Sequence, residues 1–249
     1  MASEYYKWLA RDVKPEEKKE LTREEKWRNW WYYHKWHVVI GLICLIFMAN
    51  IGYDMIHNAQ NQPDYKIAYV GTTALPDDTV EALELAFATL GEDLNDNGKV
   101  QVELLSYELL DEEASGQPSM DENSAERGYN ASMMLLMNIE TVESMIFLLE
   151  DPAAFSANYP VLTRVDGTKV DDTPDSDVPT YYRWADCPVL TSLELGTFEI
   201  PLVGETAIGD SQLAMANIYV ARRGLWDDGS NDTIEGALRL WDAMTEGAK

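Results

Sequence analysis

From Trp36 to Met55 the chain reads WHVVIGLICLIFMANIGYDM, with no charge between Val38 and Ala49 and Asp54 the first acid. Twenty helical residues rise about 30 Å, the thickness of a bilayer hydrocarbon core, so this run predicts a membrane-spanning helix. Upstream, Trp27, Trp30, Trp31, Tyr32, Tyr33 and Trp36 interleave with Lys26, Arg28 and Lys35. That is the pattern of an aromatic belt with cations reaching the headgroups. Thr22-Arg23-Glu24-Glu25 has the form of a capping box, so the helix is expected to begin before the membrane. A cleaved signal would need small residues at its end, but the run closes Phe47-Met48-Ala49-Asn50, and Ile43 rather than a small residue precedes Cys44. Residues 22–58 therefore read as an amphipathic start and an uncleaved signal anchor, preceded by a tail over 1–21.

Beyond a polar linker at 59–64 the spacing shortens to that of alternating strands and helices. Tyr65–Val70 predicts a strand ended by Gly71. Val80, Leu83, Phe87, Leu90 and Leu94 recur at helical spacing and predict a helix over Asp77–Leu94. A second strand is expected at Val100–Leu105, an acidic loop at Asp111–Asn123, a helix from about Ser124 to Thr141, and a third strand at Met145–Leu149. Met133, Met134 and Met137 on that helix read as core. Asp151-Pro152 opens a short helix. After an acidic loop at Asp166–Pro179, strands are expected at Thr197–Val203 and Leu213–Ala221, and Asn231-Asp232-Thr233 caps a last helix. The order strand–helix–strand–helix–strand favours an α/β/α domain over 65–249, with a mostly parallel, mixed sheet.

Charge sets the direction and removes a class of partner. Residues 1–36 hold nine Lys and Arg against seven Asp and Glu, whereas from Tyr53 onward there are 10 against 37. Basic residues on the N-terminal side place the tail in the cytoplasm and the domain outside the cell membrane. A net charge of −25 over 249 residues lacks the basic face that nucleic acid requires. Two cysteines, Cys44 and Cys187, cannot form a disulfide framework.

The β-α-β-α-β run from Tyr65 to Leu149, followed by Glu150-Asp151-Pro152-Ala153-Ala154-Phe155, resembles one lobe of a type 2 periplasmic (extracytoplasmic solute-binding) protein. In that family the third strand often ends in an acidic residue, and a short helix then carries an aromatic. The returning strand pair around Ile200 and Tyr219 and the C-terminal helix are similar to how such a lobe closes. The aromatic-rich anchor joined to this domain also resembles membrane-anchored proteins of Gram-positive bacteria. The resemblance implies a solute-binding role at the cell surface and no enzymatic activity.

The residues permit little else. The histidines are His34, His37 and His57, so the domain from Gln60 onward has no imidazole. Ser-His-Asp and Cys-His nucleophiles and H-E-x-x-H zinc sites are excluded there. In a parallel sheet, ligands sit outside the carboxyl ends of the strands, which here offer Thr72, Thr73, Glu150 and Asp151. Tyr181, Tyr182 and Trp184 form the nearest aromatic cluster in sequence, and either line that groove or pack over an edge of the sheet. No organic cofactor is implied. Asp93-Leu94-Asn95-Asp96-Asn97-Gly98 matches the opening of a calcium loop, with Asp93, Asn95 and Asn97 as oxygen ligands, although the twelfth position is Leu104 instead of Glu. The expected partners are the lipid bilayer and a small ligand or membrane protein. The alternative function is a scaffold or accessory subunit acting through its anchor and tail.

Overall fold

A computed structural model of the chain describes residues 20–60, 62–109, 122–170, 177–202, 205–225 and 232–249. The capping box forms as expected. The Thr22 N–H donates to Glu25 Oε2 at 3.0 Å and the Glu25 N–H to Thr22 Oγ1 at 3.4 Å. It opens α1, Arg23–Gln60, whose stretch Arg23–Met55 is long and apolar enough to cross a membrane by length and composition. Asn50 spends its amide on its own helix, donating to Ile46 O at 2.9 Å. The chain divides at His57/Asn58 into two units.

In the second unit, β1 (Tyr65–Gly71) is followed by α2 (Asp77–Ala88), β2 (Val102–Glu108), α3 (Glu122–Glu140), β3 (Ile146–Leu149) and α4 (Pro152–Asn158). Then come β4 (Tyr181–Arg183), α5 (Pro188–Thr191), a hairpin of β5 (Thr197–Leu202) and β6 (Glu205–Asp210), α6 (Ser211–Met215), β7 (Tyr219–Arg222) and α7 (Asp232–Met244). The main sheet has the order β2-β1-β3-β7-β4. β1 pairs parallel with β2 and β3, while β7 pairs antiparallel with β3 and β4. The sheet is thus evenly mixed, not mostly parallel.

Alternation along β1 divides its side chains between two apolar clusters. Ile67 and Tyr69 pack with Leu83 and Phe87 of α2, with Trp184, and with Leu240, Trp241 and Met244 of α7. Ala68 and Val70 pack with Leu135 and Ile139 of α3 and with Phe155 of α4. Both clusters consist of residues from Tyr65 on. A fragment starting at Asn58 is therefore expected to fold as a soluble monomer with one cooperative urea transition. Aggregation of that fragment without α1 would refute this.

Three further expectations are corrected. The helix after β1 ends at Ala88 instead of Leu94, because Asp64 and Tyr65 capture the chain that follows. The Tyr65 hydroxyl donates to Glu92 O at 3.0 Å and accepts from Glu92 N at 2.8 Å. Leu213–Ala221 is not one strand. Asp210 accepts the Leu213 N–H at 3.1 Å and caps α6, so only Tyr219–Arg222 extends. The returning strands around Ile200 and Tyr219 do not pair with each other, since Ile200 lies in the β5–β6 hairpin.

Candidate functional site

The carboxyl ends of the parallel strands converge because their registers do. Gly71 of β1 is level with Glu108 of β2, and Val70 with Leu149 of β3. Glu150 continues that rim, its N–H donating to Val70 O at 3.0 Å. Its side chain closes onto the end of β1. Oε2 accepts the Thr72 N–H at 2.6 Å and the Thr72 hydroxyl at 3.0 Å. Position 71 must be glycine for this to happen, as a Cβ there would lie 2.4 Å from the Tyr69 hydroxyl oxygen and 2.8 Å from Glu150 Oε2.

Tyr69 adds a fixed donor beneath the rim, its hydroxyl bonding to Thr73 O at 3.0 Å. Burial, reinforced by the carboxylates of Glu150 and Glu108, pushes its phenol up to about 12. Tyr69 is therefore a neutral donor at physiological pH and no base. Asp151 has a structural duty: its Oδ1 accepts the Ala153 and Ala154 N–H groups at 3.0 and 2.9 Å and caps α4. Thr72, Thr73, Glu150 and Asp151 are thus brought together at one rim, all exposed.

The aromatic cluster is not. Tyr181 and Tyr182 are consecutive on β4 and fall on opposite faces of the sheet. Tyr181 meets Tyr219 edge-on at 5.3 Å, and Tyr182 stacks on Trp241 at 6.4 Å. Trp184 is fully buried, 6.2 Å from the Phe87 ring, and its Nε1 donates to Gln212 Oε1 at 3.0 Å. It is a core residue and lines no groove. The same core holds Cys187, whose thiol burial pushes up to about 11, leaving it protonated and inert.

Sequence reasoning missed Tyr69 and Glu108, the first because it read as plain core and the second because β2 was expected to end at Leu105. It also missed a cavity of about 570 Å³ lined by Ala153, Ser156, Leu162, Lys169, Thr180 and Tyr181, among others. The turn beside it is held by Asp166, whose Oδ1 accepts the Thr168 N–H at 2.9 Å and hydroxyl at 2.8 Å. Those bonds, the backbone one first, hold its carboxyl below the ordinary aspartate range.

In the calcium-like loop each candidate oxygen already faces a backbone donor. Asp93 Oδ2 accepts the Gly98 N–H at 2.7 Å, Asn95 Oδ1 the Asn97 N–H at 3.1 Å, and Asn97 Oδ1 the Lys99 N–H at 2.8 Å. Asp96 and Gly98 take φ of 55° and 84° to make the turn. Leu104, at the twelfth position, is buried in β2. Among the described residues no group of three or more His, Cys, Asp or Glu side chains is placed to hold a metal ion. Calcium and magnesium at matched ionic strength are therefore expected to raise the melting temperature equally, by screening an acidic domain. A calcium-specific rise, lost in Asp93→Ala, would establish a site instead.

Comparison of the chain with protein-family models, with curated proteins and with solved structures finds no match.

Proposed function

We propose that the chain is a non-enzymatic, single-pass membrane protein whose extracytoplasmic domain binds a small cationic solute at the rim formed by Thr72, Thr73, Glu150 and Asp151. The observation that carries this is the switch in strand order. From β1 the chain crosses to β2 on one side, and the next crossover returns past β1 to β3 on the other. The helices that follow β1 and β3 pack on opposite faces of the sheet, the kind of switch point at which ligands of open α/β sheets sit. The division of β1 between a cluster with α2 and a cluster with α3 supports the α/β/α layering this needs. The carboxylates of Glu108, Glu150 and Asp151, within a domain rich in acids, favour a positive charge in the ligand.

The solute-binding-lobe resemblance is supported by Glu150 at the end of β3, by Phe155 on α4 and by β7 returning between β3 and β4. Among the described residues between β4 and β7 lie only short helices and the β5–β6 hairpin, so the solute would meet an open rim rather than a closing pair of lobes. The aromatic collar and basic flank of α1 support anchoring with the N-terminus in the cytoplasm.

The test has two arms. A reporter fused after Lys249 should be outside the cell and one at the N-terminus inside; the reverse result refutes the topology. In thermal melts of the full chain in detergent, spermidine or an arginine ester should raise the melting temperature. Glu150→Gln should abolish that rise, and succinate should give none. An undiminished rise in Glu150→Gln would remove the rim from the reading, and no rise with any cation would remove the ligand class.

A further inference from the structure

Helix α3 carries two apolar stripes and buries one. Leu135 and Ile139 are in the core, with Gly128 and Asn138 on the same side. On the other side Tyr129, Met134 and Met137 are each 65% exposed, Met133 47% and Leu136 41%. The expectation that the methionines are core is therefore overturned. Five large apolar side chains side by side differ from the scattered single residues of an ordinary surface and mark a contact region. Unbranched, polarizable methionines suit a surface that must adapt to its occupant.

Charge says which occupant. The outward spine reads Glu126, Asn130, Met133, Met137, Glu140, at spacings of four and three, so both ends of the apolar centre are carboxylates. Those ends are fourteen residues apart, about 21 Å along the helix. A second copy of the chain fits badly. Antiparallel pairing would set Glu126 against the second copy's Glu140, and parallel pairing would set each glutamate on its own like. Anionic lipid is disfavoured for the same reason. Arg127 sits on the flank beside Met134, away from the spine.

We infer that this face of α3 docks a basic amphipathic helix of another protein, whose apolar stripe packs on Met133 and Met137 and whose end cations meet Glu126 and Glu140. The site is separate from the solute rim and does not depend on it.

The probe is a synthetic helical peptide of leucine and lysine, one face apolar with lysines at both ends, carrying a fluorophore. It is titrated with the full chain in phosphatidylcholine nanodiscs, with empty discs as baseline. Binding is expected to weaken about tenfold or more in Met133→Ser/Met137→Ser. In Glu126→Gln/Glu140→Gln it should weaken about threefold and lose part of its salt dependence. Both double variants change solvent-facing residues and should melt as the parent does. The proposal is overturned if Met133→Ser/Met137→Ser binds as tightly as the parent, which would make the contact diffuse electrostatics. It is equally overturned if a leucine–glutamate peptide binds as well, or if sedimentation shows α3-dependent dimers that exclude the peptide.

Discussion

Trp184→Ala is expected to destabilise the domain by about 3–5 kcal/mol, the range for removing a large aromatic from a close-packed core. Trp184 is 0% exposed, follows directly on β4, and packs where α2 and α7 meet the sheet. Its indole also supports a polar relay. Nε1 donates to Gln212 Oε1, and Gln212 Nε2 in turn donates to Leu190 O at 2.9 Å and Leu193 O at 2.7 Å. Truncation to alanine thus opens a cavity and leaves the Gln212 carbonyl without its donor. Trp184→Phe keeps a ring but loses the donor, and is expected to cost about 1–2 kcal/mol. Urea unfolding of the full chain in detergent, followed by far-UV ellipticity, gives both values. A residue lining an open groove would behave differently, with alanine costing under about 0.5 kcal/mol. A Trp184→Ala loss that small would return the indole to the surface.

That contrast shows where sequence reasoning stops. Tyr65–Gly71 was legible because a short apolar run ended by glycine has few other readings, and Glu150-Asp151-Pro152 because Asp before Pro at a helix start is a capping signal. The rim of Thr72, Thr73, Glu150 and Asp151 followed from the strand-end rule once those elements stood. The aromatic neighbours did not follow, since β4 is only three residues long and adjacent positions on a strand point to opposite faces. Leu213–Ala221 misled because a short apolar run suits strand and helix alike, and only the carboxylate of Asp210 decided. On α3 both faces are apolar, so periodicity identified a helix and could not say which stripe was inside. Burial of Leu135 and exposure of Met137 came from the sheet they pack against or face away from. Among basic residues, Arg223 follows directly on β7, yet it is buried and donates to Ile139 O at the end of α3. No local pattern marks a buried arginine whose acceptor is 84 residues away.

Asp64→Ala is expected to cost about 3 kcal/mol, a large effect for a residue outside any strand or helix. Asp64 is 4% exposed and stands immediately before β1. Its Oδ1 accepts the N–H groups of Leu94 and Asn95 at 2.9 and 3.2 Å, and its Oδ2 accepts that of Gln101 at 2.8 Å. Three backbone donors compensate a carboxylate that burial alone would penalise, and the carboxylate in turn satisfies N–H groups of the loop that follows α2. Hydrogen bonds to a charged group contribute about 1.5–3 kcal/mol each, but they are not additive and the exposed side of the loop rehydrates, which brings the total down. Asp64→Asn retains one acceptor oxygen and turns an amide NH₂ toward a donor, so it should recover less than half of the loss. Hydrogen exchange of the full chain distinguishes this residue from Trp184. Trp184→Ala should lower protection throughout the core, whereas Asp64→Ala should in addition abolish it selectively at Leu94, Asn95 and Gln101. If those three amides kept parent protection in Asp64→Ala, the carboxylate would not be what ends α2 and holds the 93–101 loop against the start of the sheet.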